Sequence, residues 1–277
     1  MEYMEQYSVL MSVYKKEHAD YLLHAMDSIW NQTIPTDDFI LVCDGPLNTD
    51  LDNIVLEMEK KHKDILHVIR LKHNSGLGNA LNIGMKYCTN KIIARMDSDD
   101  ISRPDRCEQQ LLILHMNPDI SICSGTVEEF SEGIHSIDNC RRLPEKQDEI
   151  IQFAKSRNPF NHPCVMYKKE AVESVGGYQD FYLLEDYYLW IRMLQKGFKG
   201  YNIQNPILWM RAGSEMYKRR SGWKYVKSQK ALFDYMKKTG FISYGQYIKN
   251  IAVRTASSLL PNTIRKLSYA LVLREKK

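Results

Sequence analysis

At 277 residues, with 44% hydrophobic and 26% charged residues, the chain is ordinary in composition, long enough for one large domain or a core with an appendage. No window approaches about 18 uninterrupted apolar residues, no leader-like run follows the acidic Met1–Gln6, and six scattered cysteines form no CxxC or His cluster. A membrane span, a secretory leader, a zinc site and a disulfide framework are therefore not expected. The net charge of +4 is unevenly placed: residues 1–214 carry 23 Lys+Arg against 31 Asp+Glu, and residues 215–277 carry 15 against 3. An acidic body (1–214) thus precedes a basic tail (215–277) suited to an anionic partner.

Tyr7 to Val13 is nearly continuous in apolar character and predicts a strand covered on both faces. Leu22, Ala25, Met26 and Ile29 follow at helical spacing, and Phe39 to Cys43 predicts a second strand closed by Asp44-Gly45-Pro46. A helix through Ile54 to Lys61, a strand from Leu66 to Leu71 and a glycine-rich turn with a helix over Asn74 to Tyr87 come next. Such alternation argues for a parallel, nucleotide-binding type of sheet.

Lys91 to Met96 is a buried strand that delivers Asp97, Asp99 and Asp100 at its carboxyl end. Carboxylates this close repel, so Asp97 and Asp99 both stay ionised readily only with a cation between them. Mg²⁺ or Mn²⁺ shared with phosphate oxygens would serve, and ligands of open parallel sheets bind beyond this end of the strands. The alternative is an acidic surface turn capping a helix that starts near Arg103.

Beyond it, Ile120 to Phe130 and Ile134 to Ile137 read as a hairpin, and helices are expected near Asp148 to Lys155, Lys169 to Val175 and Glu185 to Gln195. Pro159 to Pro163 must be irregular, and Cys164 to Tyr167 reads as a short strand. In the tail, Tyr244, Tyr247, Ile248, Ile251, Ala252, Thr255 and Leu259 share one helical face, Pro261-Asn262 breaks it, and Ile264, Leu267, Ser268 and Leu271 start another. With Lys249, Arg254, Arg265, Lys266 and Arg274 at other positions, the tail is expected either to lie in a membrane interface, the preferred reading, or to cap the core with a solvated basic face.

The ordered set Ser12-Val13-Tyr14 with Glu17, Asp27 to Thr33, Asp44-Gly45, Asn74 to Gly84, Asp97-Ser98-Asp99-Asp100 and Glu185-Asp186 resembles family 2 of the inverting glycosyltransferases over roughly residues 7–195. The resemblance implies an α/β, GT-A fold: a Rossmann-like, nucleotide-binding mixed sheet flanked by helices, here with a C-terminal helical extension. It implies that Asp99 binds a divalent metal, Mn²⁺ or Mg²⁺, with Asp97 holding the metal, its water or the ribose. Val13, Tyr14, Glu17 and Ser98 would lie around the nucleotide, and Asp44 would take the N–H of a uracil base. The family often has two acids before this glycine, and Cys43 replaces the first. Glycines such as Gly78 would let the backbone approach the nucleotide, with Asn82 one helical turn on; Arg211 and Lys218-Arg219-Arg220 fall where similar enzymes close a loop over its diphosphate. Asp186 would be the general base. His162 is expected to be structural or to touch the acceptor or diphosphate, and Trp209 and Trp223 to fill core or stack on sugar.

The function expected is transfer of a hexose from a nucleotide sugar, a UDP-sugar first, to a hydroxyl of a polyprenyl-diphosphate-linked saccharide. O-antigen, capsule or exopolysaccharide would be the product, made at the cytoplasmic face of the membrane by a peripheral enzyme drawn to its anionic surface. The Gln-x-x-Arg-Trp motif of processive relatives is absent, which favours single-sugar transfer. Nucleic acid is not an expected partner, because the body is acidic and no recognition motif appears. Two rivals are a sugar-phosphate nucleotidyltransferase, disfavoured because Val13 to Glu17 contains no glycine, and a non-catalytic membrane-docking module.

Overall fold

The computed structural model describes residues 5–212 and 222–259. Four parallel strands, β1 (Tyr7–Val13), β2 (Asp38–Cys43), β3 (Leu66–Arg70) and β4 (Ile92–Asp97), lie in the spatial order β3-β2-β1-β4. Helices α1 (Ala19–Trp30), α2 (Thr49–Lys61) and α3 (Leu77–Met85) connect them. β1 and β2 are buried almost throughout, as near-continuous apolar runs require. α1 buries Leu22, Ala25, Met26 and Ile29, the four positions its spacing predicts. On the other face α3 lies tight against the sheet: a Cβ at Gly84 would meet Leu10 Cδ1 at 2.5 Å and Val42 Cγ2 at 2.6 Å.

The second half continues the same sheet. It contains β5 (Ile101–Ser102), α4 (Arg106–Met116), β6 (Ile120–Gly133), β7 (Ser136–Arg141), α5 (Gln147–Ala154), a 3₁₀ turn at His162–Cys164, β8 (Met166–Lys168), α6 (Lys169–Glu173), α7 (Glu185–Gln195) and β9 (Lys199–Arg211). The order β4-β8-β6-β9-β5, with β7 also on β6, makes a mixed sheet of nine strands among the described residues. The expected hairpin forms as β6 and β7.

β9, a strand of 13 residues, was not expected. Pro206 sits inside it, and a proline normally argues against a strand in the middle of a sheet. Register shifts on either side of Thr126, opposite Pro206, absorb the missing N–H, and Thr126 Oγ1 donates to Gln204 O at 2.9 Å.

The two faces of the sheet carry two apolar clusters, one under α1, α2 and α4 and the other under α3, α5 and α7. The second also takes in α8 (Gly222–Lys238) through Tyr225, Leu232, Phe233 and Met236. α9 (Tyr244–Leu259) adds Tyr247 and Ile251 at its edge, while Tyr244, Ile248 and Val253 remain exposed. The apolar stripe of α9 is therefore split between core and solvent. Arg254, expected at a membrane interface or on a solvated face, donates from Nη2 to Ser156 O at 2.6 Å, and Asn250 Nδ2 to Lys155 O at 2.8 Å. The carbonyls that end a helix lack partners within it, and these two side chains supply them for the end of α5. The stripe from Ile264 to Leu271 lies outside the described residues. No helix among the described residues is long and apolar enough to cross a membrane.

Candidate active site

The register of the parallel strands aligns three carboxyl ends. Ser12 pairs with Val42 and with Asp97, Val13 pairs with Cys43, and Asp44 N donates to Val13 O at 2.8 Å. Val13, Asp44 and Asp97 thus end their strands at one rim. Tyr14, at the same rim, is half-exposed in the turn after β1.

Asp97, Asp99 and Asp100 each bring a carboxylate oxygen within 4.8 Å of the other two. Burial, then the charges of Asp97 and Glu17, push the Asp99 carboxyl up to about 7. Burial, then Asp99 and Asp97, push Asp100 well above the usual carboxylate range. This clustering of oxygen ligands under mutual repulsion is the donor set a hard divalent cation fits. Glu17 joins the group, since Ser98 Oγ donates to Glu17 Oε2 at 2.8 Å.

Arg95 lies beneath the cluster, 1% exposed, and its Nη2 donates to Asp97 Oδ1. Side chains alternate along a strand, so Arg95 and Asp97 share a face of β4. That alternation was the signal for Arg95, a residue sequence reasoning left without a role.

Arg211 closes the loop from the other side. At the end of β9 its N–H donates to Asp100 Oδ1 at 2.8 Å and its Nε to Asp99 O at 3.1 Å. Its guanidinium is sandwiched by Tyr21 and Phe130, 3.7 and 4.7 Å from the ring centroids. The strand that sequence reading missed therefore places the predicted arginine on the predicted aspartates. Lys218, Arg219 and Arg220 lie outside the described residues.

Asp44 is buried and accepts four hydrogen bonds: from Asn74 Nδ2 (2.9 Å), Ser75 N (2.6 Å), Ser75 Oγ (3.0 Å) and Gly76 N (3.0 Å). Gly45, at φ +88°, makes the tight approach possible, since a Cβ there would meet Asn74 N at 2.7 Å. Gly78, one residue into α3, lets the helix start pass Tyr178 and Glu185, whose Cβ atoms would lie 3.4 and 3.7 Å from an added methyl. Asn82 uses both ends of its amide on the backbone of Tyr178, donating to its carbonyl at 2.6 Å and accepting its N–H at 2.8 Å.

Asp186 opens α7 with Glu185, ahead of the buried Tyr187, Leu189 and Trp190. Asp186 Oδ2 accepts from Asn158 Nδ2 at 2.6 Å and Oδ1 from Tyr187 N at 2.7 Å. Asn158 is a second site residue that the sequence did not single out. His162 is buried between Tyr178, whose hydroxyl lies 2.9 Å from Nε2, and Trp190. Burial and the Arg95 charge hold it well below the usual histidine range, so it is a neutral core residue. Trp209 stacks under the Arg103 guanidinium at 4.5 Å, and Trp223 is 64% exposed at the start of α8.

Residues 8–176 match the model described as "Glycosyl transferase family 2". The chain is 37% identical over 266 residues to the amylovoran biosynthesis glycosyltransferase AmsE of Erwinia amylovora, covering 95% of this chain and 97% of the relative. It is 37% identical over 269 residues to a UDP-Gal:alpha-D-GlcNAc-diphosphoundecaprenol beta-1,3-galactosyltransferase of Escherichia coli, covering 97% of each. Among solved structures it is similar to the mannosyltransferase PcManGT of Pyrobaculum calidifontis in complex with GDP-Man and Mn²⁺, with a TM-score of 0.66 at 15% identity over 98% of this chain and 81% of that one. Residues 1–349 of Staphylococcus aureus TarS, in complex with UDP-GlcNAc, give a TM-score of 0.63 at 15% identity over 96% and 76% of the two chains.

Proposed function

The chain belongs to glycosyl transferase family 2 and has the GT-A fold, and from that premise we propose that it is a metal-dependent, inverting hexosyltransferase of bacterial surface-polysaccharide synthesis. The observation that carries this reading is the cluster of Asp97, Asp99 and Asp100 at the rim where β1, β2 and β4 end. Asp99 and Asp97 would hold Mn²⁺ or Mg²⁺. Such an ion, when bound, neutralises a diphosphate leaving group.

The remaining roles belong to this chain's own side chains. Val13, Tyr14, Glu17 and Ser98 border the nucleotide. Asp44 takes the base N–H in exchange for one of its two side-chain donors, Asn74 or the Ser75 hydroxyl, since four bonds already fill its acceptor positions. Gly78 and Asn82 shape the wall through Tyr178, and Arg211 fixes the acidic loop from the diphosphate side. Asp186 removes the proton of the acceptor hydroxyl as that oxygen attacks the anomeric carbon opposite the departing diphosphate, which inverts the configuration.

The E. coli relative acts on a UDP-galactose donor and a GlcNAc-diphosphoundecaprenol acceptor. We take a UDP-hexose and a polyprenyl-diphosphate-linked saccharide as donor and acceptor on that ground. The test is a panel of nucleotide sugars with purified protein, Mn²⁺ and a synthetic lipid-diphosphate-linked N-acetylglucosamine, run with and without EDTA. One UDP-hexose should be consumed, with EDTA-sensitive UDP release and a product of inverted anomeric configuration by NMR. Pyrophosphate release from a nucleoside triphosphate and a sugar phosphate would overturn the reading.

A lipid-linked acceptor places the enzyme at the cytoplasmic membrane surface, and the exposed side of α9 supports that placement. Tyr244 and Ile248 are 68% and 49% exposed on one face, with Lys249 beside them. Each basic residue near an anionic surface adds about 1 kcal/mol, and burying an isoleucine adds about 1.5–3 kcal/mol. Ile248→Asp combined with Lys249→Ala is therefore expected to weaken flotation with anionic lipid vesicles by roughly 100-fold, with the melting temperature unchanged. Equal flotation would remove the membrane-surface role of α9.

A further inference from the structure

The bond from Asn158 to Asp186 is oriented from both ends. Asn158 Oδ1 accepts the Phe160 N–H at 3.3 Å, which turns the NH₂ of the same amide toward Asp186, 2.6 Å away. A flipped amide would set N–H against N–H and oxygen against carboxylate, so the assignment follows from the network. The turn that carries Asn158 is held in its own right. Asn250 and Arg254 of α9 bind the carbonyls of Lys155 and Ser156, two to three residues before it.

We infer that Asn158 is a positioning residue for Asp186, and that α9 holds the 155–158 turn in the place from which it acts. The inference rests on the reading of Asp186 as the base. An ionised carboxylate only accepts hydrogen bonds and has about four lone-pair sites. Asn158 donates to one oxygen and the Tyr187 N–H to the other, and together they fix the carboxylate plane. A base misplaced by 1 Å can cost about 100-fold in rate, and the hydroxyl to be deprotonated arrives from a separate molecule.

The Asn158 bond also favours the ionised form that a base must have at the start of the reaction. Among the described residues, the titratable and charged groups on the elements around Asp186 include Glu185 beside it, Lys155 and Arg157 on the same turn, Tyr178, Tyr187, Tyr188 and Arg254. Burial pushes Tyr178 and Tyr187 up, so they stay neutral across the working range.

The experiment measures kcat, donor KM and the pH dependence of kcat/KM for Asn158→Ala, Asp186→Asn and the double variant, using the donor and the lipid-diphosphate acceptor of the assay above. Asn158→Ala should lose roughly 10- to 100-fold in kcat with donor KM and melting temperature unchanged. Its acid limb should move to higher pH, because one donor to the ionised carboxylate is gone. In the Asp186→Asn background the same substitution should cost nothing more, as for two groups acting through one step. A folded Asn158→Ala protein with parental kcat and pH profile, beside an inactive Asp186→Asn, overturns the inference and leaves the base intact. An active Asp186→Asn overturns both. Should Asn158→Ala fail to fold, Asn158→Ser, whose hydroxyl is too short to reach, reads the same shift of the acid limb.

Discussion

Asp99→Asn protein is expected to lose transferase activity by at least roughly 10³-fold, because the several kcal/mol that a cation contributes to a departing diphosphate go with its ligand. The substitution should not unfold the protein. Asp99 is pushed up to about 7 by burial and by Asp97 and Glu17. A carboxyl whose folded value exceeds its unfolded one stabilises the fold fully only at low pH, below about 4, and loses that contribution as pH climbs to the folded value. In EDTA, the parent protein should therefore melt at progressively lower temperature as pH rises from about 4 to about 7. Metal ligands must be deprotonated, so Mn²⁺ should bind more tightly as pH rises through about 7.

At about 100 times its Kd, a ligand adds about 2.7 kcal/mol, a rise of roughly 5–10 °C for a chain of this size. Asp99→Asn should show no such rise and should melt no lower than the parent in EDTA at pH 8. Asp97→Ala provides the contrast. It leaves Arg95 as a buried cation without its carboxylate, which costs about 3–5 kcal/mol. Differential scanning calorimetry across pH, with and without Mn²⁺, separates the two aspartates. Parent-like melting of Asp97→Ala, or a Mn²⁺ shift retained by Asp99→Asn, would contradict these assignments.

Asp186→Asn is expected to lower kcat by about 10²–10⁴-fold, the usual contribution of a general base. The amide is nearly the same shape and keeps one oxygen for the Tyr187 N–H. Donor binding should be preserved, since Asp186 belongs to α7 and the acidic loop to β4 and β9. Titration calorimetry with UDP and Mn²⁺ beside single-turnover kinetics makes the distinction. A parallel loss of nucleotide affinity would move Asp186 out of the base role and into the donor site.

The parallel half of the fold was legible because its signals are local. β1 and β2 are apolar runs, α1 carries its four inward positions at helical spacing, and the acids follow β4 directly. The gathering of the aspartates was legible for the same reason, since register in a parallel sheet carries strand ends to one rim. β9 was not legible: Pro206 argues against a strand, and only the irregular pairing with β6 accommodates it. Asn158 lies in a loop whose meaning depends on a contact 28 residues away. Arg254 looked like one more solvated cation, and only the docking of α9 on α5 turned it inward.

That docking bears on how hybrid enzymes of this kind could be assembled. Phe233 and Met236 of α8 are as deeply enclosed as the strand residues of the same apolar cluster, and α9 grips the turn beside α7. A tail borrowed from a relative with different acceptor habits could not be bolted on as an interchangeable cassette. The graft would have to bring its own matching side of α5 and α7, or the turn that carries Asn158 would lose its support.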